Sequence, residues 1–310
     1  MKKIINPIST SILEKEINKD TFVRKTNYCN HDIYIVDYHN HPNATMEIGR
    51  LRELSFRNAG GGTGKSYDLD EFDTREEAFY KQLIVWEPEE KKIIGGYRFM
   101  LGNDVINSSK YNNTATNNLF DFSSDFYSKT LGLTIELGRS FVQPEYQPSS
   151  GNRKAIFSLD NLWDGLGALV VDHPEIKYFF GKVTMYLDFN KKGRDLILGF
   201  MDHFFKDKDQ WISAKQPLEL HHDIDYFIEQ IQHLDYKESY KILTKKLKEL
   251  NCSLPPLIAA YMNLSSSMKT FGTAMNSKFG DVEETGILIS IDDIYPEKKD
   301  RHVNTYKKVK

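Results

Sequence analysis

Four separated stretches of the chain carry charged residues inside otherwise apolar runs. Arg50 and Arg52 stand in TMEIGRLRELSFR beside Phe56. Asp68, Asp70 and Asp73 follow a glycine-rich loop, Arg98 lies in GGYRFM, and Glu136 and Arg139 lie in TIELGRSFV. Arginines and carboxylates are rarely buried unless paired, so these residues are expected to meet in one ion-pair network. Such a network could move a proton, bind a charged substrate, or simply tie a loop, a helix and a sheet together. Glu136 has the strongest case for chemistry, because an acid flanked by apolar strand residues is costly without a role. With a strand period of two, Glu136 and Gly138 share one face. Arg139 takes the other with Leu137 unless a bulge intervenes.

Other candidates carry less. AGGGTGKS, residues 59–66, nearly fits a phosphate-binding loop, with Ala59 where the first glycine belongs. A working loop leaves a strand and enters a helix whose N-terminus faces the phosphates. Here a helix precedes it, and SYDLDEFD would point four acids at a polyanion. The glycines read instead as a helix stop and a flexible flap. His39 with His41, and His221 with His222, lack an HExxH context and a third ligand, so no metal is expected. Cys29 and Cys252 fit neither a disulfide framework nor a zinc spacing, as in a reducing cytoplasm. No serine or cysteine stands in a nucleophile setting.

The elements that must position these residues follow from periodicity. A strand with Ile33 and Ile35 precedes a helix over 45–57, in which Met46, Leu51, Leu54 and Phe56 share one side. FYKQLIVWE and KKIIGGYRFM form an antiparallel hairpin about PEE. Residues 102–129 read as a long loop with a short helix, anchored by Leu119, Phe120, Phe122 and Phe126. LTIELGRSFV is a strand, AIFSLDNLWDGLGALVV a helix, KYFFGKVTM a strand and 193–205 a helix, which implies a parallel crossover. The final third is mainly helical, with Lys241, Lys245, Lys246 and Lys248 on the polar side of one helix, and GILISI closes the sheet. The expected fold is α/β, a mixed central sheet flanked by helices, with a helical C-terminal extension on the same lobe. Its divisions are a leader (1–30), the core (31–206), the extension with its closing strand (207–294) and a basic flexible tail (295–310).

R-L-R-E-L-S-F, D-L-D-E-F-D, the hairpin and above all E-L-G-R-S-F-V-Q-P-E-Y resemble the N-acyltransferases that make ornithine and glycine lipids. These were once labelled hemolysin-like; they have an acetyltransferase-type (GNAT) fold and are related to acyl-homoserine-lactone synthases. The resemblance continues through NLWDGLGALV, KYFFGKV and LPPLIAAYMNL to FGTAMNSKFGDVEETGILI, covering most of residues 46–291. It implies transfer of a long, often 3-hydroxylated acyl group from an acyl carrier protein thioester to an amino acid, glycine or ornithine. Arg52, Phe56, Asp70, Asp73, Arg98, Glu136 and Arg139 match the charged and aromatic positions shared with the lactone synthases. Such proteins usually carry H-P-D-Y after the E-L-G-R strand; here Gln143 and Glu145 stand instead, leaving no histidine for proton transfer.

The chemistry agrees with the residues. An α-amine, with a pKa of about 8, must lose a proton before attacking a thioester, and Glu136 can accept it. Backbone N–H groups around Phe141 and Val142 are placed by the fold analogy at the developing oxyanion. The phosphopantetheine arm is expected between the E-L-G-R and KYFFGKV strands, with Arg153 and Lys154 meeting its phosphate or serving as helix-start surface charge. Asp70 and Asp73 bind the substrate's ammonium or hold the arginines. PSSGNRKA is an incomplete pyrophosphate loop, which favours a carrier-protein thioester over acetyl-CoA, with acyl-CoA the alternative co-substrate and no cofactor bound. The alternatives are an acetyl-CoA N-acetyltransferase for small molecules and a non-catalytic carrier-protein-binding module. The 41 basic against 44 acidic residues, a net charge of -3, give no field for nucleic acid. No signal-peptide or membrane-spanning run is expected in these 310 residues, so membrane contact would be peripheral.

Overall fold

The computed structural model describes residues 1–308, apart from the side chains of Arg153 and Lys154. Helix α1 (Thr10–Glu16) and strands β1 (Phe22–Lys25) and β2 (Asp32–Val36) lead into α2 (Pro42–Asn58). Pro42 presets the first turn of α2, and the Glu16 carboxylate accepts from Ala44 N at 2.7 Å and Asn43 N at 3.3 Å. The leader is thus built into the fold, one edge strand and one helix cap, which a local reading of its polar sequence does not reveal.

After the short α3 (Glu71–Thr74) come the hairpin β3 (Lys81–Glu87) and β4 (Lys92–Leu101), α4 (Gly102–Asn107), β5 (Phe120–Phe122) and β6 (Thr134–Val142). The crossover follows as α5 (Ser158–Asp172) and β7 (Tyr178–Met185). Next come α6 (Lys191–Phe205), β8 (Ile212–Ala214), α7 (Asp225–Ile231), α8 (Tyr236–Glu249), α9 (Pro256–Met262), β9 (Lys269–Asn276), β10 (Val282–Ser290) and α10 (Pro296–His302). Eight strands form one mixed sheet in the order β1-β2-β3-β4-β6-β7-β10-β9, and β5 pairs with β8. Among the strands of the large sheet that are described, only β6 and β7 pair in parallel, as the strand–helix–strand pattern requires.

GILISI is therefore an inner strand: β10 lies between β7 and β9. The stretch 102–129 is more ordered than its Asn and Ser content predicts, because Phe120 and Phe126 are fully buried against Phe180 and Phe271. One face of the large sheet packs Ile33, Leu83 and Ile94 against α5 and the C-terminal helices; Leu243, Leu247 and Ile258 belong to that same core. The other face packs Ile84, Trp86 and Phe141 against α1 and α2. No helix among the described residues is long and apolar enough to cross a membrane.

Residues 295–310 were expected as a flexible tail, yet α10 docks on α5. His302 is buried with Nδ1 2.8 Å from Asp164 Oδ1, and Arg301 reaches Asp160 at 2.8 Å. Gly167 permits the approach, since a Cβ there would lie 2.1 Å from His302 O. The acids that receive this basic segment lie far back along the chain, where counting local charge does not find them. Asp164 also accepts from Asn27 N at 2.7 Å, so Asp164→Ala removes the partner of the buried His302 ring as well as that of Asn27. It should cost about 3 kcal/mol and lower Tm by roughly 5 °C with turnover per folded molecule unchanged; an unaltered melting curve would show that the strap contributes nothing.

Candidate active site

The site is built where β6 breaks its pairing. Arg98 of β4 stands opposite Gly138, but Gly96 stands opposite Phe141, so Arg139 and Ser140 are inserted across from Tyr97. Arg139 has φ +50°, a left-handed conformation that costs a non-glycine residue about 1–2 kcal/mol. This is the bulge on which the strand alternation was conditional. It turns Arg139 to the side of Arg98.

The charged residues then meet as a network. Arg52, Asp68 and Asp73 are fully buried, with Arg52 Nε 3.1 Å from Asp68 and Nη1 3.3 Å from Asp73. Arg98 Nη1 is 2.9 Å from Asp70 and 3.2 Å from Asp73, and Arg139 Nε is 2.8 Å from Asp68. The Arg139 guanidinium also lies 3.9 Å from the Phe279 ring centroid, and Phe279 meets Phe56 edge-on at 4.9 Å. Burial by itself would raise the Asp68 and Asp70 pKa values, but the arginines outweigh it. Arg139 and Arg52 hold Asp68, and Arg98 and Arg139 hold Asp70, below the usual carboxylate range. Asp70 and Asp73 also cap α3 reciprocally.

Glu136 stands apart from this network. Its Oε1 accepts from Thr116 N at 3.0 Å and Thr116 Oγ1 at 2.8 Å. Its buried Oε2 has no hydrogen-bond partner among the described residues. The expectation that Glu136 partners Arg98 or Arg139 is corrected, since both arginines are held by aspartates. Tyr80 lies beside Glu136, and burial followed by that carboxylate pushes its pKa well up, so it stays a neutral phenol. Lys182 Nζ donates to Thr116 Oγ1 at 3.3 Å and lies 3.8 Å from Glu284.

The β6–β7 ladder runs only from Thr134↔Tyr178 to Leu137↔Gly181; beyond it β6 pairs with β4 alone and β7 with β10 alone. Into this splay opens a cavity of about 440 Å³, with Glu136, Arg98 and Tyr80 on one side of the sheet and Phe179, Tyr261 and Ile289 on the other. A second cavity of about 430 Å³ shares Arg98, Arg139, Lys182 and Glu284 with the first and adds Thr63, Lys65 and Asp70. The β6 wall is Gly138, Arg139 and Ser140. Phe141 packs instead in the core under α1 and α2, and Val142 borders the opposite core. Phe56 lines the cavity, and Arg52 and Asp73 lie behind it. The side chains of Arg153 and Lys154 fall outside the described residues.

The near-P-loop has another occupation. Glu53 takes the N–H groups of Thr63 at 3.0 Å and Gly64 at 2.7 Å, where a phosphate would otherwise bind. Gln143 donates from Nε2 to Ile93 O, and its N–H bonds Ile94 O at 2.9 Å, so it ties β6 to β4. His39 bonds Arg75 O at 2.9 Å and His222 bonds Asp195 at 2.8 Å. No cluster able to hold a metal occurs among the described residues.

The acetyltransferase (GNAT) domain family matches residues 51–155. A glycine N(alpha)-acyltransferase of Bacteroides thetaiotaomicron is 49% identical over 307 residues, 99% of this chain and 91% of that protein. One of the same name from Phocaeicola vulgatus is 48% identical over 309 residues, 99% of this chain and 94% of that protein. The chain belongs to the glycine N(alpha)-acyltransferase family. It is an acyltransferase of the GNAT fold. A solved CoA-dependent acyl-homoserine lactone synthase is also similar, at 10% identity and a TM-score of 0.40 over 89% of each chain.

Sequence reasoning reaches the ion pairs of this acyltransferase but not Thr116, Tyr80, Lys182 or Glu284. Lys182 carries a usable signal, a charge inside the apolar strand KYFFGKV, the same that marks Glu136. Thr116 carries none, because its N–H and hydroxyl act through a turn 20 residues from Glu136.

The depressed aspartates fix a pH dependence. A carboxyl whose folded pKa lies below its unfolded value of about 4 adds stability that is present above that range and lost as pH falls through it. Chemical denaturation of the acyltransferase should therefore show stability falling steeply below about pH 4. Asp70→Asn should flatten that slope; an equal slope in both proteins would mean that Asp70 is not held by Arg98.

Proposed function

We propose that the enzyme transfers a long fatty acyl group, plain or 3-hydroxylated, from an acyl carrier protein thioester to the amine of glycine in the cytoplasm, yielding a lyso-aminolipid. Ornithine is the alternative acceptor. The observation that carries this reading is the cavity in the β6–β7 splay, with an unpartnered Glu136 oxygen on one side of the sheet and apolar walls on the other. The whole-length relatives named for glycine support the acceptor.

In this mechanism the thioester carbonyl lies at the splay and the acyl chain runs toward Phe179, Leu257 and Ile289. Glu136 Oε2 takes the amine's proton, directly or through water, while Thr116 fixes Oε1. The nitrogen bonds to the carbonyl carbon, the carbon–sulfur bond breaks, and the proton shed by the new amide nitrogen goes to the departing thiolate, while the one on Glu136 returns to water. The register gives Arg139 and Ser140 no ladder partner, so their N–H groups are the donors for the oxyanion, in place of those of Phe141 and Val142. Arg139 acts by holding that backbone; Arg98, Asp70 and Asp73 keep the wall rigid. The stretch PSSGNRKA before α5 has a single glycine and so lacks the glycine loop that would cradle a pyrophosphate. That supports a carrier protein as partner. The exposed Lys241, Lys245 and Lys248 of α8 form a basic face for an acidic carrier or for peripheral, salt-sensitive membrane contact.

Purified enzyme given acyl carrier protein and acyl-CoA thioesters with mixed amino acids should yield long-chain N-acylglycine from the carrier, read by mass spectrometry. Acetyl transfer to a polyamine alone, or carrier binding without turnover, would overturn the reading. Glu136→Gln retains the bond to Thr116 but not the proton affinity. Turnover should fall about 10²-fold at neutral pH, recover in part at higher pH, and leave Tm nearly unchanged. Normal turnover per folded molecule would remove Glu136 as the base.

A further inference from the structure

We propose that Lys182 binds the carboxylate of the amino-acid acceptor and so restricts the enzyme to α-amino acids. The inference rests on the acceptor chemistry proposed above. Among the described residues three cations line both cavities, Arg98, Arg139 and Lys182. Arg98 is committed to Asp70 at 2.9 Å and Arg139 to Asp68 at 2.8 Å. Lys182 is different, because its nearest carboxylate, Glu284, stands 3.8 Å away and already accepts from Asn276 Nδ2 at 3.1 Å.

The Lys182 side chain is 15% exposed in a central strand, so its ammonium has left most of its water without gaining a close counter-ion. Of its three protons, one goes to Thr116 Oγ1 at 3.3 Å. A carboxylate in the shared mouth of the two cavities would complete its coordination.

The position suits an α-amino acid. Amine and carboxylate sit on one carbon, so the groups that receive them must be near neighbours. Thr116 makes them so: its hydroxyl donates to Glu136 Oε1 at 2.8 Å and accepts from Lys182. With the carboxylate on Lys182, the amine is delivered toward Glu136 and the thioester. An amine lacking the carboxylate enters the same cavity without that alignment, which disfavours polyamines and simple alkylamines.

The test compares glycine with glycinamide, which keeps the amine and loses the anion. Lys182→Met preserves the apolar stem. It should raise KM for glycine about 10- to 100-fold, the worth of a charge-assisted hydrogen bond, and change kcat less. The loss with glycinamide should be at least about tenfold smaller than the loss with glycine, and Lys182→Arg should restore most of the glycine KM. An unchanged glycine KM, or equal losses with both acceptors, would overturn the assignment. Should the unsubstituted enzyme acylate no α-amino acid, the acceptor reading itself fails, an outcome visible before any variant is made.

Discussion

Asp68 is fully buried between two guanidinium groups, Arg52 at 3.1 Å and Arg139 at 2.8 Å, and the second of these belongs to a residue the backbone would rather not place there. The left-handed turn at Arg139 costs about 1–2 kcal/mol, whereas removing one partner of a buried ion pair costs about 3–5 kcal/mol. The ion pair wins, and the bulge persists. Because Asp68 is also bound to α2 through Arg52, the bulge is fastened to a helix rather than to a mobile loop. Its backbone can then present N–H groups in a fixed direction, as stabilisation of a developing charge requires.

The other features of the site follow from this fixture. Displacing two residues from the β4 ladder steers the end of β6 away from β7, and the splay so formed connects the two faces of the sheet. Polar chemistry lies on the α2 side, while the apolar side belongs to the core shared with α9 and β10. Glu136 stays on the last fully paired stretch of β6, opposite Phe180, so the proposed base is rigid where the wall beside it is open. Thr116 locks one carboxylate oxygen and leaves the other to the cavity. Lys182, on the facing strand, joins the same hydroxyl from the opposite side.

Much of this could be read in the chain because charge inside apolar strands and helices has few explanations. Arg52, Asp68, Asp70, Asp73, Arg98 and Arg139 announce their pairing by type and setting, and the parallel β6–α5–β7 crossover is written in alternating periodicities. The direction of Arg139 depended on a bulge that two-residue periodicity leaves open, and the partner of Glu136 came from a turn with no apolar pattern. The docked α10 was hidden for a similar reason: Arg301 and His302 look like solvated charge until Asp160 and Asp164, more than a hundred positions earlier, are folded beneath them. Long-range polar pairs leave no periodic trace, so sequence shows which charges need partners better than it shows where those partners are.

A double-substitution cycle on Asp68 and Arg139 tests the dependence most directly, with unfolding free energy and turnover per folded molecule measured for Asp68→Asn, Arg139→Met and both together. If the pair holds the bulge that opens the site, the two changes are strongly non-additive: a coupling of at least about 1.5 kcal/mol, and a double variant about as slow as either single one. Additive stabilities, with turnover losses that multiply, would contradict the account.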